Sequence, residues 1–127
     1  MYKRQVVTLV EVDPIQVERI LVNLIENALR FSSPAGEVRI EVGVTVQEAT
    51  VRVVDNGPGI SPPDLERVFE PFERVHTDGR HGTGLGLAIA RGFAEANGGQ
   101  VWAESHSQGT SFTLAFPLVR STVGAAR

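Results

Sequence analysis

The 127 residues make one ordinary domain rather than two, and an apolar content of 42% supplies a core that a disordered segment lacks. Twelve basic against fifteen acidic side chains leave a net charge of −3, so the chain has no electropositive footprint for a nucleic-acid backbone or an anionic membrane. The absence of cysteine excludes disulfides, thiol nucleophiles and Cys-ligated zinc, and with Lys3 the only lysine, P-loop and Schiff-base chemistry are excluded as well.

The β-branched run at residues 6–12 predicts a strand. Asp13-Pro14 then supplies an N-cap and a first-turn proline, so a helix begins there. Its apolar positions Val17, Ile20, Leu21, Leu24, Ile25 and Ala28 recur at helical spacing, and Ser32 to Gly36 end it. Residues 37–45 alternate Val38, Ile40, Val42 and Val44, which predicts a strand with one buried face. A hairpin turn at Gln47-Glu48 leads into a return strand over 49–54. The glycine-proline loop from Asp55 to Gly59 precedes a short helix over 62–68, and residues 73–83 read as a mobile loop. A second long helix is expected over 85–96, closed by Asn97-Gly98-Gly99. Strands over 100–104 and 111–118 join through Gln108-Gly109, and residues 119–127 carry no pattern and are expected to fray. The whole of 1–127 reads as one domain with its core over about residues 5–118. The element order predicts an α/β layer fold with helices on one face of a mixed sheet. No apolar run approaches the ~18 residues that span a bilayer.

Three segments carry chemistry. On the first helix Asn23, Glu26, Asn27 and Arg30 share about 100° of arc. Polar stripes usually mean only a solvated face, but asparagine is a poor mid-helix residue and its amide oxygen suits Mg²⁺. Asp55-Asn56-Gly57-Pro58-Gly59-Ile60 puts an acceptor at a strand end, with glycines that let backbone approach a flat ring. Gly82-Thr83-Gly84-Leu85-Gly86-Leu87 exposes backbone N–H groups at a helix start, a natural anion site. It is not a dinucleotide-binding fingerprint, because Leu87 stands where glycine or alanine is required. The histidines, His76, His81 and His106, lack metal-ligand spacing and read as surface residues.

Taken together these segments resemble the ATP-binding catalytic domain of bacterial sensor histidine kinases, in the GHKL ATPase superfamily. Asn23 to Phe31 resembles the N box, Asp55 to Ile60 the G1 box and Phe69-Glu70-Pro71-Phe72 the F box. Gly82 to Leu87 resembles the G2 box and Gly109-Thr110-Ser111-Phe112 the last glycine motif, in the family's order from about Asp13 to Leu118. The stretch Ala90 to Ser105 is reminiscent of potassium-sensing Kdp-type kinases within that family.

The resemblance implies a Bergerat-type two-layer sandwich, a mixed five-stranded sheet under three helices. It implies that ATP or ADP and Mg²⁺ are bound, with Asn27 and Asn23 holding the metal. Glu26 would polarise the accepting nucleophile, Arg30 would contact phosphate and Phe31 would pack beside the nucleoside. Asp55 would accept from the adenine amino group, with Gly57, Gly59 and Ile60 forming the loop around the ring. Arg74 and Arg80 would reach phosphate from a lid over residues 73–83. The backbone of Gly82, Thr83, Gly84, Leu85 and Gly86 would cradle the phosphates, and Thr110 would reach the adenine.

A histidine kinase phosphorylates a His on a separate helical dimerisation domain, and none of the three histidines here sits in such a helix. The expectation is therefore a catalytic domain that binds Mg-ATP, does not autophosphorylate alone, and donates to a phosphoacceptor domain, with a response regulator downstream. The implied setting is the cytoplasmic portion of a protein anchored in the inner membrane, with neither nucleic acid nor membrane touched by this domain. Two other readings remain at this point: an anti-sigma-factor-type serine kinase of the same superfamily, and a non-catalytic nucleotide sensor.

Overall fold

Asp13 starts the first helix, α1 (Pro14–Phe31), by accepting from the backbone N–H groups of Ile15 at 2.9 Å and Gln16 at 3.2 Å. Two of the donors that a helix start leaves without intrahelical partners are thereby satisfied, and Pro14 has none to lose. The structure, a computed structural model, describes residues 9–32, 35–71, 85–106 and 109–119. The remaining elements are β1 (Arg39–Val44), β2 (Glu48–Asp55), α2 (Asp64–Arg67), α3 (Gly86–Ala96), β3 (Gln100–His106) and β4 (Gly109–Pro117). These lie within a residue or two of the predicted bounds, apart from the first expected strand and α2, which is reduced to one turn.

The sheet order is β1-β2-β4-β3 and every pairing among the described strands is antiparallel. Where a mixed five-stranded sheet was expected, the described residues form four strands with antiparallel pairing throughout. Residues 9–12 of the strand expected over 6–12 make no sheet ladder. The Leu9 carbonyl takes one bond from Val119 N–H at 2.9 Å, and Val10 and Val12 pack on the core instead. Residues 6–8 lie outside the described residues, as do residues 120–127 of the expected tail.

The core forms on one face. The alternation of β4 directs Phe112, Leu114 and Phe116 toward the helices, beside Val53 of β2 and Val101 of β3. Ile20, Leu24 and Ala28 of α1 and Ala90 and Ala94 of α3 cover them, all at 0% exposure. Phe69, just after α2, meets Phe112 edge-on, with centroids 6.0 Å apart and planes at 80°. The Arg91 guanidinium of α3 lies 4.5 Å from the Phe69 ring centre and pairs with Glu66 at 2.8 Å, so α2, α3 and the sheet are clamped together.

The expected buried face of β1 is corrected in part. Val38 packs on the core, but Ile40, Val42 and Val44 are 52%, 75% and 54% exposed. As an edge strand, β1 lies outside the footprint of α1, which packs over β2.

Helices α1 and α3 run antiparallel. Asp13 N–H donates to Asn97 Oδ1 at 2.7 Å, and Asn97 Nδ2 donates to Gln16 Oε1 and to the Phe93 carbonyl, both at 2.8 Å. The C-terminus of α3 is a Schellman motif: Gly98 N–H donates to the Glu95 carbonyl at 3.0 Å and Gly99 N–H to the Ala94 carbonyl at 2.8 Å. Gly98 takes φ +77°, the left-handed value the turn requires.

Replacing Phe112 by Ala removes the ring at the centre of this core and is expected to cost about 3–5 kcal/mol. Asp13→Ala removes only the cap and is expected to cost about 1 kcal/mol. Urea denaturation of both variants measures the difference, and equal losses would contradict the central place given to Phe112.

Candidate functional site

Asp55 is the last residue of β2 and stands beside Thr110 of β4 as its pairing partner; both are only 4% exposed. The chain leaves β2 in a turn that folds back on the Asp55 carboxylate, one oxygen of which accepts from Gly57 N–H at 2.8 Å. Gly57 lies so close to the C-terminus of α1 that a Cβ there would collide with the Phe31 carbonyl oxygen. Only glycine permits that approach, and the approach holds the loop against the helix. Gly59 follows with φ +83°, and Ile60 N–H donates to Ser105 Oγ of β3 at 3.0 Å. The loop is therefore fastened at three points: to its own Asp55, to α1 and to β3.

The polar stripe of α1 runs past this loop toward the start of α3. Phe31 adjoins Gly57 at one end, and at the other a Cβ on Gly86 would lie 3.7 Å from the Asn23 amide. Glu26, Asn27 and Arg30 occupy the turns between, with Glu26 exposed and Asn27 and Arg30 half-buried. The stripe, the Asp55 loop, Thr110 and the first turn of α3 thus border one region at the end of the sheet. Helix α3 presents its N-terminal N–H groups there, the positive end of its dipole.

One atom in this region is anomalous. Nδ2 of Asn23 is buried and has no hydrogen-bond partner. Leaving such a group unpaired costs about 1–3 kcal/mol, a cost that a bound ligand can remove. Among the described residues no group of three His, Cys, Asp or Glu side chains is placed to hold a metal. The oxygen donors at hand are the amides of Asn23 and Asn27 and the Glu26 carboxylate. That set suits Mg²⁺, which keeps waters and takes ligands from a phosphate.

Of the remaining predicted site residues, Leu85 is the N-cap position of α3. Arg74, Arg80, Gly82, Thr83 and Gly84 lie outside the described residues, as do Phe72 of the F-box motif and the rest of the expected lid over residues 73–83. His76 and His81 also lie outside them, and His106 is the last residue of β3.

Residues 12–120 match the family model described as histidine kinase-, DNA gyrase B- and HSP90-like ATPase. The chain belongs to this family. It is 40% identical over 114 residues to the sensor histidine kinase WalK of Bacillus subtilis (strain 168), an overlap of 85% of this chain and 19% of WalK. It is 40% identical over 103 residues to the sensor protein KdpD of Mycobacterium tuberculosis (strain ATCC 25618 / H37Rv), covering 80% of this chain and 12% of KdpD. The solved catalytic domain of histidine kinase ThkA superposes with a TM-score of 0.74 at 33% identity, over 85% of this chain and 71% of that one. ThkA in complex with the response regulator TrrA superposes with a TM-score of 0.73 at 29% identity, over 87% of this chain and 30% of that one. The chain thus spans a fifth or less of the WalK and KdpD sequences. No described helix of this ATPase-family domain is long and apolar enough to cross a membrane.

Three positioning residues escaped sequence reasoning. Ser105 holds the Asp55 loop from 45 residues away, Arg91 caps the Phe69 ring, and the Asn97 side chain joins the two long helices. For Asn97 the helix-end signal was present but said nothing of its partners. For Ser105 and Arg91 no local pattern exists, because their partners are set by strand and helix packing.

Removing the Ser105 hydroxyl leaves Ile60 N–H without its acceptor, a loss of about 1 kcal/mol. Ser105→Ala is expected to weaken binding of a fluorescent ATP analogue about fivefold with unchanged circular dichroism. Unaltered affinity would mean that the loop holds its shape without β3.

Proposed function

We propose that this domain binds Mg-ATP and donates the γ-phosphoryl group to a His on a separate helical dimerisation domain, as the catalytic domain of a two-component sensor histidine kinase. The observation that carries the reading is the buried Asp55 carboxylate beside Thr110, at the mouth of a region bordered by α1 and the start of α3. A buried carboxylate anchored on one side by Gly57 N–H is suited to accept from an exocyclic amine. In this reading Gly59 and Ile60 shape the ring's surroundings, Thr110 reaches the adenine, and Phe31 flanks the nucleoside.

Arg30, with Arg74 and Arg80 of the lid, takes the place of the phosphate-loop lysine that a P-loop would supply. The backbone from Gly82 to Gly86 meets the phosphates at the start of α3. Asn27 and Asn23 would hold Mg²⁺ through their amide oxygens, where it would neutralise phosphate charge, and the orphaned Nδ2 of Asn23 is a donor suited to a phosphate oxygen beside it. Glu26, exposed between them, orients the accepting imidazole and takes its proton. Phosphoryl transfer of this kind asks the protein for positioning and charge rather than covalent chemistry.

The similarity to WalK, KdpD and ThkA favours this reading over a serine kinase of the anti-sigma type. The solved ThkA–TrrA complex supports a response regulator as the downstream partner. A membrane-anchored full-length protein with this domain on its cytoplasmic side completes the proposal.

The test is a titration with a fluorescent ATP analogue, with and without Mg²⁺, on the parent chain, Asp55→Asn and Asn27→Asp. Asp55→Asn is expected to lose affinity at least about tenfold, the weight of a hydrogen bond to a charged group. Asn27→Asp is expected to change the Mg²⁺ dependence specifically. Incubated with radiolabelled ATP, the chain alone is expected to remain unlabelled, while an added dimerisation domain acquires acid-labile phosphohistidine. Phosphate appearing on this chain, or on serine of the partner, would refute the assignment.

A further inference from the structure

Asn56 stands between Asp55 and Gly57, the carboxylate and the N–H group that are bonded to each other across it. It is an exposed residue, and an asparagine in such a turn ordinarily serves only its own backbone. Here its amide lies against the connection from α1 to β1. Oδ1 accepts from the hydroxyl of Ser32, the C-cap of α1, at 3.3 Å and across 24 positions of sequence. The same amide covers Gly36 so closely that a Cβ there would overlap its Oδ1, Cγ and Nδ2 together.

Glycine at 36 is a matter of space. The glycines with positive φ are Gly59, Gly98 and Gly109, so no left-handed backbone calls for one at 36; the room taken by the Asn56 amide does. The next residue makes a contact of the same kind, since a Cβ on Gly57 would collide with the Phe31 carbonyl oxygen. Asn56 and Gly57 therefore clasp the end of α1 and the connection after it, one through a side-chain amide and the other through bare backbone.

The consequence for the site is one of orientation. Asp55 is held on the sheet by its pairing with Thr110, and its Oδ1 accepts from Gly57 N–H at 2.8 Å. The backbone of Asn56 is the only link between those two fixed points. Anchoring its side chain on Ser32 and Gly36 restrains how that link turns, which keeps Gly57 N–H aimed at the carboxylate. Removing the anchor relaxes the turn, and the carboxylate loses its fixed direction.

We propose that Asn56 is a positioning residue for adenine selectivity, acting through Gly57 on the Asp55 carboxylate without touching the ligand itself. The inference rests on the nucleotide reading of the site. An adenine ring presents an amino group where hypoxanthine presents a carbonyl oxygen, and a carboxylate accepts from the first and repels the second. A carboxylate held in one direction separates the two rings. One that can turn reaches the ring N–H of hypoxanthine instead and separates them less.

The test measures ATP and ITP affinity, each by displacement of a fluorescent ATP analogue, on the parent chain, Asn56→Ala, Gly36→Ala, their double variant and Asp55→Asn. The parent is expected to prefer ATP at least about tenfold, and Asp55→Asn to abolish that preference. Asn56→Ala is expected to lower the preference about threefold, mainly through weaker ATP binding. Gly36→Ala is expected to do the same by expelling the amide, and to add nothing on the Asn56→Ala background, where no amide remains to be expelled. A role confined to stability would weaken both nucleotides alike and leave their ratio untouched. An unchanged ratio in Asn56→Ala, or additive effects of the two substitutions, would overturn this inference while the Asp55→Asn result leaves the nucleotide reading standing. A parent without preference, or a preference that survives Asp55→Asn, would overturn both.

Discussion

The contact on which the rest of the molecule depends is the packing of α1 and α3 onto the helix-facing row of β2 and β4. Ile20, Leu24 and Ala28 meet Val53, Phe112 and Leu114 there, and Ala90 and Ala94 close the layer from the other side. Alanines at the facing positions of α3 let the two helices lie side by side, α1 over β2 and α3 over β3. The antiparallel pair is then locked by Asn97, which joins the end of α3 to the beginning of α1. A helix pair so constrained has one arrangement on the sheet, and each polar residue of α1 acquires a defined neighbour. That is how Asn23 comes to face Gly86 and Phe31 comes to face Gly57.

The candidate site is built from close backbone approaches rather than from a converging set of charged side chains. The Asp55 loop touches α1 through Gly57 and β3 through Ser105, and its one buried charge is held by its own backbone. Such a region suits a ligand that brings its own charge and needs a flat slot, one acceptor and N–H groups at a helix start. A nucleotide answers that description. The membership of this chain in the histidine kinase-, gyrase B- and HSP90-like ATPase family agrees with it. On the opposite face of the sheet Arg39 and Arg52 both pair with Glu41, and Arg52 lies against His106.

Much of the fold was legible because short-range stereochemistry wrote it. Asp13-Pro14 marks a helix start through the unpaired N–H groups of the first turn, and Asn97-Gly98-Gly99 marks a helix end through the need for a left-handed residue. The 3/4 spacing of α1 identified Ile20, Leu24 and Ala28 as buried, as they are. The alternation of Ile40, Val42 and Val44 identified a strand but misjudged its environment. Period-two patterning reports which side chains share a face, not whether a helix covers that face, and β1 lies at the edge. The expected strand over residues 6–12 failed over 9–12 for a related reason: β-branched composition favours extended chain but does not supply a partner strand.

The sequence by itself determined where the two long helices begin and end, which side chains of α1 face the core, and which motifs stand in which order. These follow from backbone hydrogen-bond supply and from the two periods of secondary structure, both readable within a few residues. Only the tertiary structure decided that all described pairings are antiparallel and that Asp55 and Thr110 stand side by side. It also decided that Ser105 and Arg91 serve as supports and that Arg52 shares Glu41 with Arg39. Each of these depends on contacts between residues far apart in the chain, and their partners are chosen by how whole elements pack.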